Sequence, residues 1–296
     1  MEIVIKDLFK NFEETKAING LSLTIGPGVS GLMGHNGAGK STLLRLLAGV
    51  IYPTKGEIKI NGDDPTSLEA KKILFFLSDN PYSPGGASPF SLLSFYSCFY
   101  EIDREKFFSL LKETKINPKG KLSTFSKGMK RQIFLILALS VKCQILLIDE
   151  GFDGLDPLIL DVIRKEIIVQ GQGEKIILLS SHNLSSLERL ADHFILLDRG
   201  KLGKMGNEED FSNSIAKYQA VFNKEETEES LKALNLDILS YLKIGRITTF
   251  IINEKEGDIE KLKNEKSPQI LEKIPLSYEE IFASQMRLAE RRDTNE

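Results

Sequence analysis

The segment from Gly34 to Thr42 constrains this chain more than any other part of it. Its order, Gly-His-Asn-Gly-Ala-Gly-Lys-Ser-Thr, matches the spacing G-x-x-x-x-G-K-[ST] at every specified position. Glycines in such a loop let successive backbone N–H groups turn inward and approach phosphate oxygens closely. Lys40 is predicted to reach the β- and γ-phosphates of a nucleotide, and the Ser41 hydroxyl to ligate Mg²⁺. The residues predicted to bind the nucleotide are Gly34, His35, Asn36, Gly37, Ala38, Gly39, Lys40, Ser41 and Thr42.

The sequence on either side of this loop supports the same interpretation. An apolar strand is predicted over Val29–Met33, and leucines at helical spacing follow the loop until Gly49. Because the loop leads directly into a helix, the phosphates would lie at a helix N-terminus, where unpaired N–H groups and the helix dipole favour anions. A chance match to the spacing, without this strand and helix, is the less favoured alternative.

Composition limits the remaining classes of protein. With 296 residues, of which 41% are hydrophobic, the chain can form one large α/β domain and a smaller one. The longest apolar run, Ile133–Val141, has about half the length of a membrane-spanning helix. The net charge of −3 gives no support for a nucleic-acid-binding surface. The N-terminus has no basic leader, so we expect a cytoplasmic protein. Cys98 and Cys143 lack a partner motif and are expected to be reduced thiols in the core.

Short apolar strands alternate with helical patterns over residues 1–210, which is typical of an α/β domain with a buried parallel sheet. The predicted strands are Ile3–Ile5, Leu21–Ile25, Val29–Met33, Glu57–Ile60, Ile73–Leu77, Ile145–Ile148, Ile176–Ser180 and Phe194–Asp198. Residues 85–141 lack a strand pattern and are predicted to form an inserted helical subdomain.

Residues 211–296 are predicted to form a separate C-terminal α+β module. They carry the whole net charge of −3 and contain no glycine-rich phosphate loop. Strands are predicted over Ile215–Phe222, Leu236–Ile244, Arg246–Asn253 and Gln269–Ile274, and helices over Glu225–Leu234, Asp258–Lys266 and Ser277–Arg291. The order is β-α-β-β-α-β with one further helix, a ferredoxin-like split arrangement.

Polar side chains follow two of the predicted buried strands at their carboxyl ends. Asp149 and Glu150 come directly after one strand, and His182 follows the next strand along the chain. Ligands in open α/β sheets bind at this edge. We therefore predict that Asp149 holds Mg²⁺, that Glu150 acts as general base toward an attacking water, and that His182 donates a hydrogen bond to the γ-phosphate or that water. The predicted catalytic residues are therefore Lys40, Glu150 and His182.

A further motif makes the assignment specific. Residues 125–132 read Phe-Ser-Lys-Gly-Met-Lys-Arg-Gln before a long apolar helix, for which Ser126 is a suitable N-cap. Together with the phosphate loop and the Asp149-Glu150 pair, this motif resembles the signature of the ATP-binding subunits of ABC transporters. The resemblance implies a P-loop ATPase cassette with a RecA-like core, an antiparallel β subdomain and a helical subdomain. It also implies a homodimer or heterodimer in which Ser126 and Gly128 of one subunit close over ATP bound by the other.

Three more residues take their expected roles from this resemblance. Phe12 falls where the family has an aromatic ring that stacks on adenine, and Asp156, in Gly-Leu-Asp-Pro, matches the D-loop. Asp79 falls at the Q-loop position, where glutamine is usual, and can offer an oxygen to Mg²⁺ or water. Lys127 replaces the first signature glycine, and Arg131-Gln132 inverts the usual order.

The same resemblance implies a transport function. The signature, the acid at residue 79 and the segment Pro275–Phe282 resemble the ABC-2 exporter group. We therefore expect a cytoplasmic ATPase that powers a separate membrane permease, in the direction of export, from the inner face of the cell membrane. Some aromatic residues of a predominantly core set, Phe90, Phe95, Tyr96, Phe99 and Tyr100, would line the groove for a permease helix. Two alternatives stay open: a non-transport ABC ATPase acting on DNA or the ribosome, and a weakly catalytic regulatory or self-immunity module.

Overall fold

The computed structural model describes residues 1–84, 86–152, 154–181, 187 and 190–293. The chain forms two compact units, Met1–Leu202 and Gly203–Glu296. The strands up to residue 206 are β1 (Ile3–Phe12), β2 (Thr15–Ile25), β3 (Gly28–Met33), β4 (Lys55–Ile60), β5 (Leu74–Leu77), β6 (Ile145–Asp149), β7 (Ile176–Ser180), β8 (His193–Asp198) and β9 (Lys201–Gly206). The helices up to residue 171 are α1 (Lys40–Leu47), α2 (Leu68–Ile73), α3 (Pro89–Tyr96), α4 (Arg104–Glu113), α5 (Lys127–Ser140) and α6 (Pro157–Gly171).

A six-stranded sheet with the order β5-β6-β7-β3-β8-β9 forms the centre of this part of the chain. The pairs β5–β6, β6–β7, β3–β7 and β3–β8 are parallel. Every residue of β6 and β7 is buried, as the continuous apolar runs predict for parallel strands covered on both faces. The mixed α/β fold predicted from the sequence is thereby confirmed.

The predicted strands differ from the observed ones mainly at their ends. β1 and β2 pair antiparallel and run on toward a hairpin at residues 12–15, and β4 joins β1 on its other side. Ile73 ends α2, so β5 begins one residue later than predicted. β9 was missed, because Lys-Leu-Gly-Lys-Met-Gly has no clear alternation. It follows β8 through a two-residue turn, Arg199-Gly200, in which both residues have positive φ.

Residues 86–141 contain α3, α4, a 3₁₀ turn over Leu122–Thr124 and α5, with no strand among these described residues. The aromatic residues of α3 and the segment after it are only partly buried. Phe99 is 69% exposed and Phe90 is 49% exposed, and the other three aromatic residues of the predicted set are half-buried. The prediction that this set lies mostly in the core is therefore wrong. Cys98 is also exposed, contrary to its predicted place in the core.

The second unit contains a four-stranded antiparallel sheet with the order β11-β12-β10-β13. Its elements are α7 (Glu208–Ser212), β10 (Ile215–Val221), α8 (Glu228–Lys232), β11 (Ile238–Ile244), β12 (Ile247–Asn253), α9 (Asp258–Lys266), β13 (Ile270–Ile274) and α10 (Tyr278–Asp293). Across the sheet, the neighbouring strands are the second, third, first and fourth of the unit in chain order. Every neighbouring pair is antiparallel. This is the ferredoxin-like arrangement predicted from the tail sequence.

The two faces of this sheet are covered by different helices. Tyr218 and Phe250 stack with their ring centroids 5.7 Å apart and pack with Leu231 of α8 and Leu262 of α9. On the other face, Ile251 belongs to a small cluster against which Leu276 and Leu288 pack. Successive side chains of these strands point to opposite faces of the sheet, and both faces are apolar. The C-terminal helix α10 covers the second of these faces.

The division between the units falls at residues 202/203, whereas the sequence prediction places it at 210/211. The structural boundary falls within β9, which continues to Gly206. Within the described ranges, no helix is both long and apolar enough to cross a membrane.

Candidate nucleotide-binding site

The predicted phosphate loop connects β3 to α1, as its sequence context requires. Gly39 has φ 107° and lies directly before α1, and a Cβ atom there would come within 2.5 Å of the Ala17 carbonyl oxygen. A side chain is thus excluded both by the backbone conformation and by the neighbouring strand. Gly34 and Ala38 are buried, Thr42 is half-buried, and His35, Asn36 and Gly37 are exposed at the tip of the loop.

The ammonium group of Lys40 lies inside this loop. Its Nζ atom donates to the carbonyl oxygens of Gly34, at 2.7 Å, and His35, at 3.2 Å, and the side chain is 5% exposed. Burial lowers the pKa of Lys40 below its ordinary value, while the charges of Glu150 and Asp149 act in the opposite direction. Neutral carbonyl groups compensate this positive charge only in part. An anion that enters the loop would therefore form a strong, charge-assisted hydrogen bond with the buried ammonium.

Asp149 is the centre of the polar contacts at the carboxyl edge of the sheet. Its Oδ1 atom accepts hydrogen bonds from Ser41 Oγ, at 3.1 Å, and Ser180 Oγ, at 2.7 Å. The side chain is 1% exposed, and its Oδ2 atom has no hydrogen-bond partner within the described part of the chain. A buried carboxylate oxygen left in this way, next to a serine hydroxyl, is a donor set that suits Mg²⁺. The predicted ligands Ser41 and Asp149 thus fit a magnesium ion.

Glu150 occupies a strained position directly after Asp149. Its φ angle is 49°, in the left-handed region, which glutamate seldom adopts. Its backbone N–H donates to both the carbonyl oxygen of Ser180, at 3.1 Å, and the hydroxyl of Ser180, at 3.0 Å. Strain held by such contacts clusters at functional sites. The half-buried Glu150 carboxyl is therefore positioned by the backbone as well as by its place in the sequence.

Ser180 contacts both acids of the site, although no role was predicted for it from the sequence. It pairs with Asp149 in the register of β6 and β7, so its hydroxyl reaches both the Asp149 carboxylate and the Glu150 amide. The sequence did contain a signal for this contact. Ser180 ends one apolar strand, and Asp149 and Glu150 follow another. His182, the third predicted catalytic residue, lies outside the described residues.

The signature segment begins α5 in the predicted way. The Ser126 hydroxyl accepts a hydrogen bond from the Met129 amide at 3.1 Å and caps the helix. A Cβ atom on Gly128 would lie 2.4 Å from the carbonyl oxygen of Gly154. Asp156 caps α6 by accepting from the Leu158 amide at 2.9 Å, with Pro157 in the first turn. Glycine at position 128 thus lets the signature helix pack against the loop that carries Asp156.

Two other predicted binding residues have partners of their own in this structure. Phe12 ends β1 and is 45% exposed, and the Lys10 ammonium lies 4.9 Å from the centroid of its ring. Asp79 follows β5, and its carboxylate and backbone carbonyl both accept hydrogen bonds from the Arg131 guanidinium. The structure thus brings Lys40, Ser41, Asp149 and Glu150 into one group. It ties Asp79 instead to the helix that Ser126 caps.

Comparisons with known proteins identify the family of this chain. The model of the family described as ABC transporter matches residues 18–153. The ABC-type transporter ATP-binding protein EcsA of Bacillus subtilis (strain 168) is 30% identical over 213 residues, which cover 68% of this chain and 85% of that protein. The ABC transporter ATP-binding protein YtrB of the same strain is 24% identical over 289 residues, covering 95% of this chain and 96% of its own length. A solved ATP-binding subunit of an ABC transporter superposes with a TM-score of 0.66 at 25% identity, covering 72% of this chain and 92% of the other.

Proposed function

This chain belongs to the family of ABC transporter ATP-binding subunits, which are ATPases, and from that premise we propose that it powers a separate membrane permease in the direction of export. The observation that carries the ATPase part is the group of Lys40, Ser41, Asp149 and Glu150 at one edge of the parallel sheet. Export is supported by the signature sequence and by residues 275–282, which resemble the ABC-2 exporter group.

The residues of this chain divide the work of ATP binding between them. Lys40 exchanges its loop carbonyl contacts for the β- and γ-phosphates, and the backbone of the loop surrounds them. Ser41 and Asp149 would hold Mg²⁺, which neutralises charge on the phosphate oxygens when it is bound. Ser180 holds the Asp149 carboxylate through a hydrogen bond to Oδ1, and Oδ2 would then be available as a ligand for Mg²⁺.

Glu150 then acts on the water that attacks the γ-phosphate. Its left-handed backbone conformation and its two contacts with Ser180 fix the position of the carboxyl group. A carboxylate that accepts a proton from this water contributes as a general base. We assign to His182 the hydrogen bond to the γ-phosphate or to the water, on the basis of its place after β7 in the sequence.

A second copy, or a related subunit, completes each site. Ser126 and Lys127 are exposed at the N-terminus of α5, where backbone N–H groups and the helix dipole attract anions. We propose that these groups meet the γ-phosphate of ATP bound by the partner, in a head-to-tail dimer. Phe12 supplies a half-exposed ring for the adenine base of the ATP in its own subunit.

An exposed aromatic cluster in the helical subdomain supports a permease as the partner. Phe95 lies 5.5 Å from Phe99 and 6.1 Å from Tyr82 between ring centroids. Phe99 is 69% exposed and Tyr82 67% exposed. Contiguous exposed aromatic surface marks interaction sites, and a permease helix would cover this cluster. The subunit would then work at the cytoplasmic face of the cell membrane.

Two measurements test the proposal. Purified protein is expected to release phosphate from ATP when Mg²⁺ is present and to stop when the metal is chelated. A tagged copy expressed in its own cell is expected to retain a polytopic membrane protein after purification, and Phe99→Ser to lose most of it. Phe90→Ser is the matched control, since Phe90 is an exposed aromatic residue of α3 that packs on Phe108 instead. Retention of nucleic acid or ribosomal proteins, with no membrane protein, would overturn the transport role.

A further inference from the structure

Asp79 and Arg131 form an ion pair between two separate elements of the first unit. Asp79 lies in the loop after β5, and Arg131 lies in α5, which begins at the signature. One guanidinium nitrogen of Arg131 donates to both the Asp79 carboxylate and its backbone carbonyl, the latter at 3.1 Å. The Arg131 side chain is 10% exposed and that of Asp79 is 56% exposed. The arginine is therefore the buried member of the pair and depends on the loop for its partner.

Charge around the pair explains why an acid is needed there. Lys127, Lys130 and Arg131 all lie near the N-terminus of α5, where the helix dipole disfavours cations, and no acid occupies its first turn. A cleft of about 290 Å³ lies between these three side chains, Asp79 and Gly151. Asp79 brings a negative charge to this cleft, and a carboxamide at the same position would not.

The cleft also connects the two halves of the proposed mechanism. Gly151 directly follows Glu150, the proposed general base, and Lys127 directly follows Ser126, the proposed contact with the partner's ATP. Asp79 and Arg131 both line this cleft and join its two walls. The ion pair therefore connects the loop after β5 to the signature end of α5.

We propose that Asp79 is a positioning residue that holds the signature end of α5 through Arg131, and is not a ligand of Mg²⁺. Both residues depart from the usual family pattern at their positions, and the structure brings the two departures into contact. The inference rests on the proposed ATPase function. It adds that the charge on Asp79 serves Arg131, while Ser41 and Asp149 supply the protein ligands of the metal.

The test compares the full-length wild-type protein with Asp79→Asn, Arg131→Gln, and the reversed pair Asp79→Arg with Arg131→Asp. For each, kcat, KM for Mg-ATP, the equilibrium dissociation constant of ATP, and the Mg²⁺ concentration for half-maximal rate are measured. Both single variants are expected to lower kcat about tenfold, with the other three quantities within twofold of wild type. The reversed pair is expected to recover at least half of the lost rate on a logarithmic scale, because a merely disrupted fold would not be rescued by a second change.

Lys142→Gln is the matched control, because Lys142 forms an exposed ion pair with Glu101, at 2.7 Å, just after the other end of α5. It is expected to leave kcat unchanged. A rise in the Mg²⁺ requirement with Asp79→Asn alone would identify Asp79 as a metal ligand and overturn the inference, as would wild-type rates in both single variants. A wild-type protein that hydrolyses no ATP would instead contradict the proposed function, so the two failures are distinguishable.

Discussion

The hydroxyl of Ser41 donates to the carboxylate of Asp149 across 3.1 Å, although the two residues are 108 positions apart in the chain. This contact joins the phosphate loop at the start of α1 to the carboxyl end of β6. Ser180 donates a second hydrogen bond to the same carboxylate oxygen, at 2.7 Å. The groups that would bind the phosphates and the metal are therefore already assembled in the protein alone, which lowers the cost of ordering them on binding.

Replacement of Glu150 by glutamine is expected to abolish turnover while leaving ATP binding intact. Loss of a general base reduces rate by about 10²–10⁴-fold, and uncleaved ATP should then hold two subunits together as a lasting dimer. Phosphate release and size-exclusion chromatography with Mg-ATP measure the two effects. Glu174→Gln, an exposed acid just before the opposite end of β7, is the control. Turnover within threefold of wild type would exclude Glu150 as the base.

Replacement of Lys40 by alanine is expected to weaken ATP binding itself. The ammonium is buried within the loop and donates to two carbonyl oxygens, and Lys40 is the only lysine or arginine in the sequence from Gly34 to Thr42. Its loss would therefore remove the cation available to bound phosphates. A charged hydrogen bond contributes about 1.5–3 kcal/mol, which corresponds to a decrease in affinity of about tenfold to a hundredfold. Equilibrium titration with ATP measures it, with Lys59→Ala on β4 as the control. An unchanged dissociation constant would count against the role of Lys40.

Replacement of Ser126 by arginine tests whether the site is shared between subunits. The variant is expected to bind ATP as a monomer like wild type but to fail in dimer closure, since its side chain would fill the space for the partner's phosphate. Mixed with Lys40→Ala protein, it can form dimers that contain one complete site. Return of hydrolysis in the mixture supports the trans arrangement. If none returns, crosslinking between residues of the phosphate loop and the signature decides whether the subunits meet there at all.

Removal of residues 211–296 is expected to leave ATP binding by residues 1–210 intact. Truncation after residue 210 keeps β9 whole, because that strand ends at Gly206. The truncated protein should be less soluble if the module covers apolar surface, and transport should suffer if the module braces the dimer or contacts the permease. Circular dichroism and ATP titration of the truncated chain are the measurements. A folded fragment without ATP affinity would show that the tail belongs to the catalytic unit.

Acid is expected to weaken the C-terminal module through Glu226. Burial opposes ionisation of this carboxyl, but hydrogen bonds from Lys266 and Ser230 and the charge of Lys266 outweigh it and lower its pKa below the ordinary 4.5. The stability from the ionised form is complete above pH 4.5 and is lost as the pH falls through the lowered pKa. Glu226→Gln should therefore lower the free energy of unfolding more at neutral pH than in acid. Urea titrations across that range measure it, with the exposed Glu265→Gln as the control, and a pH-independent difference would contradict the prediction.

Local patterns in the sequence predicted elements better than they predicted contacts between elements. The strands and helices of the C-terminal module follow from alternation and turn residues, and the observed β12 and β13 each begin one residue after the predicted start. Ser126 caps its helix as predicted, because capping depends on a residue only three positions away.

Features that depend on distant segments could not be predicted in this way. Ser180 contacts Asp149 because of the register between β6 and β7, and Arg131 meets Asp79 across 52 positions of sequence. Phe99 has the hydrophobicity of a core residue, and only the packing of the helical subdomain leaves it exposed. Sequence composition therefore identifies which side chains are available, while the fold decides which of them meet.

The left-handed conformation of Glu150 has a consequence for how this protein can be improved or impaired by mutation. Glycine or asparagine would fit that backbone with less strain, and strain of this kind costs about 1–3 kcal/mol. The residue that would make the fold most stable at position 150 therefore differs from the residue that the proposed catalysis needs. A laboratory selection for thermal stability alone would therefore favour replacement of this glutamate. The selected variants would be more stable but would no longer hydrolyse ATP.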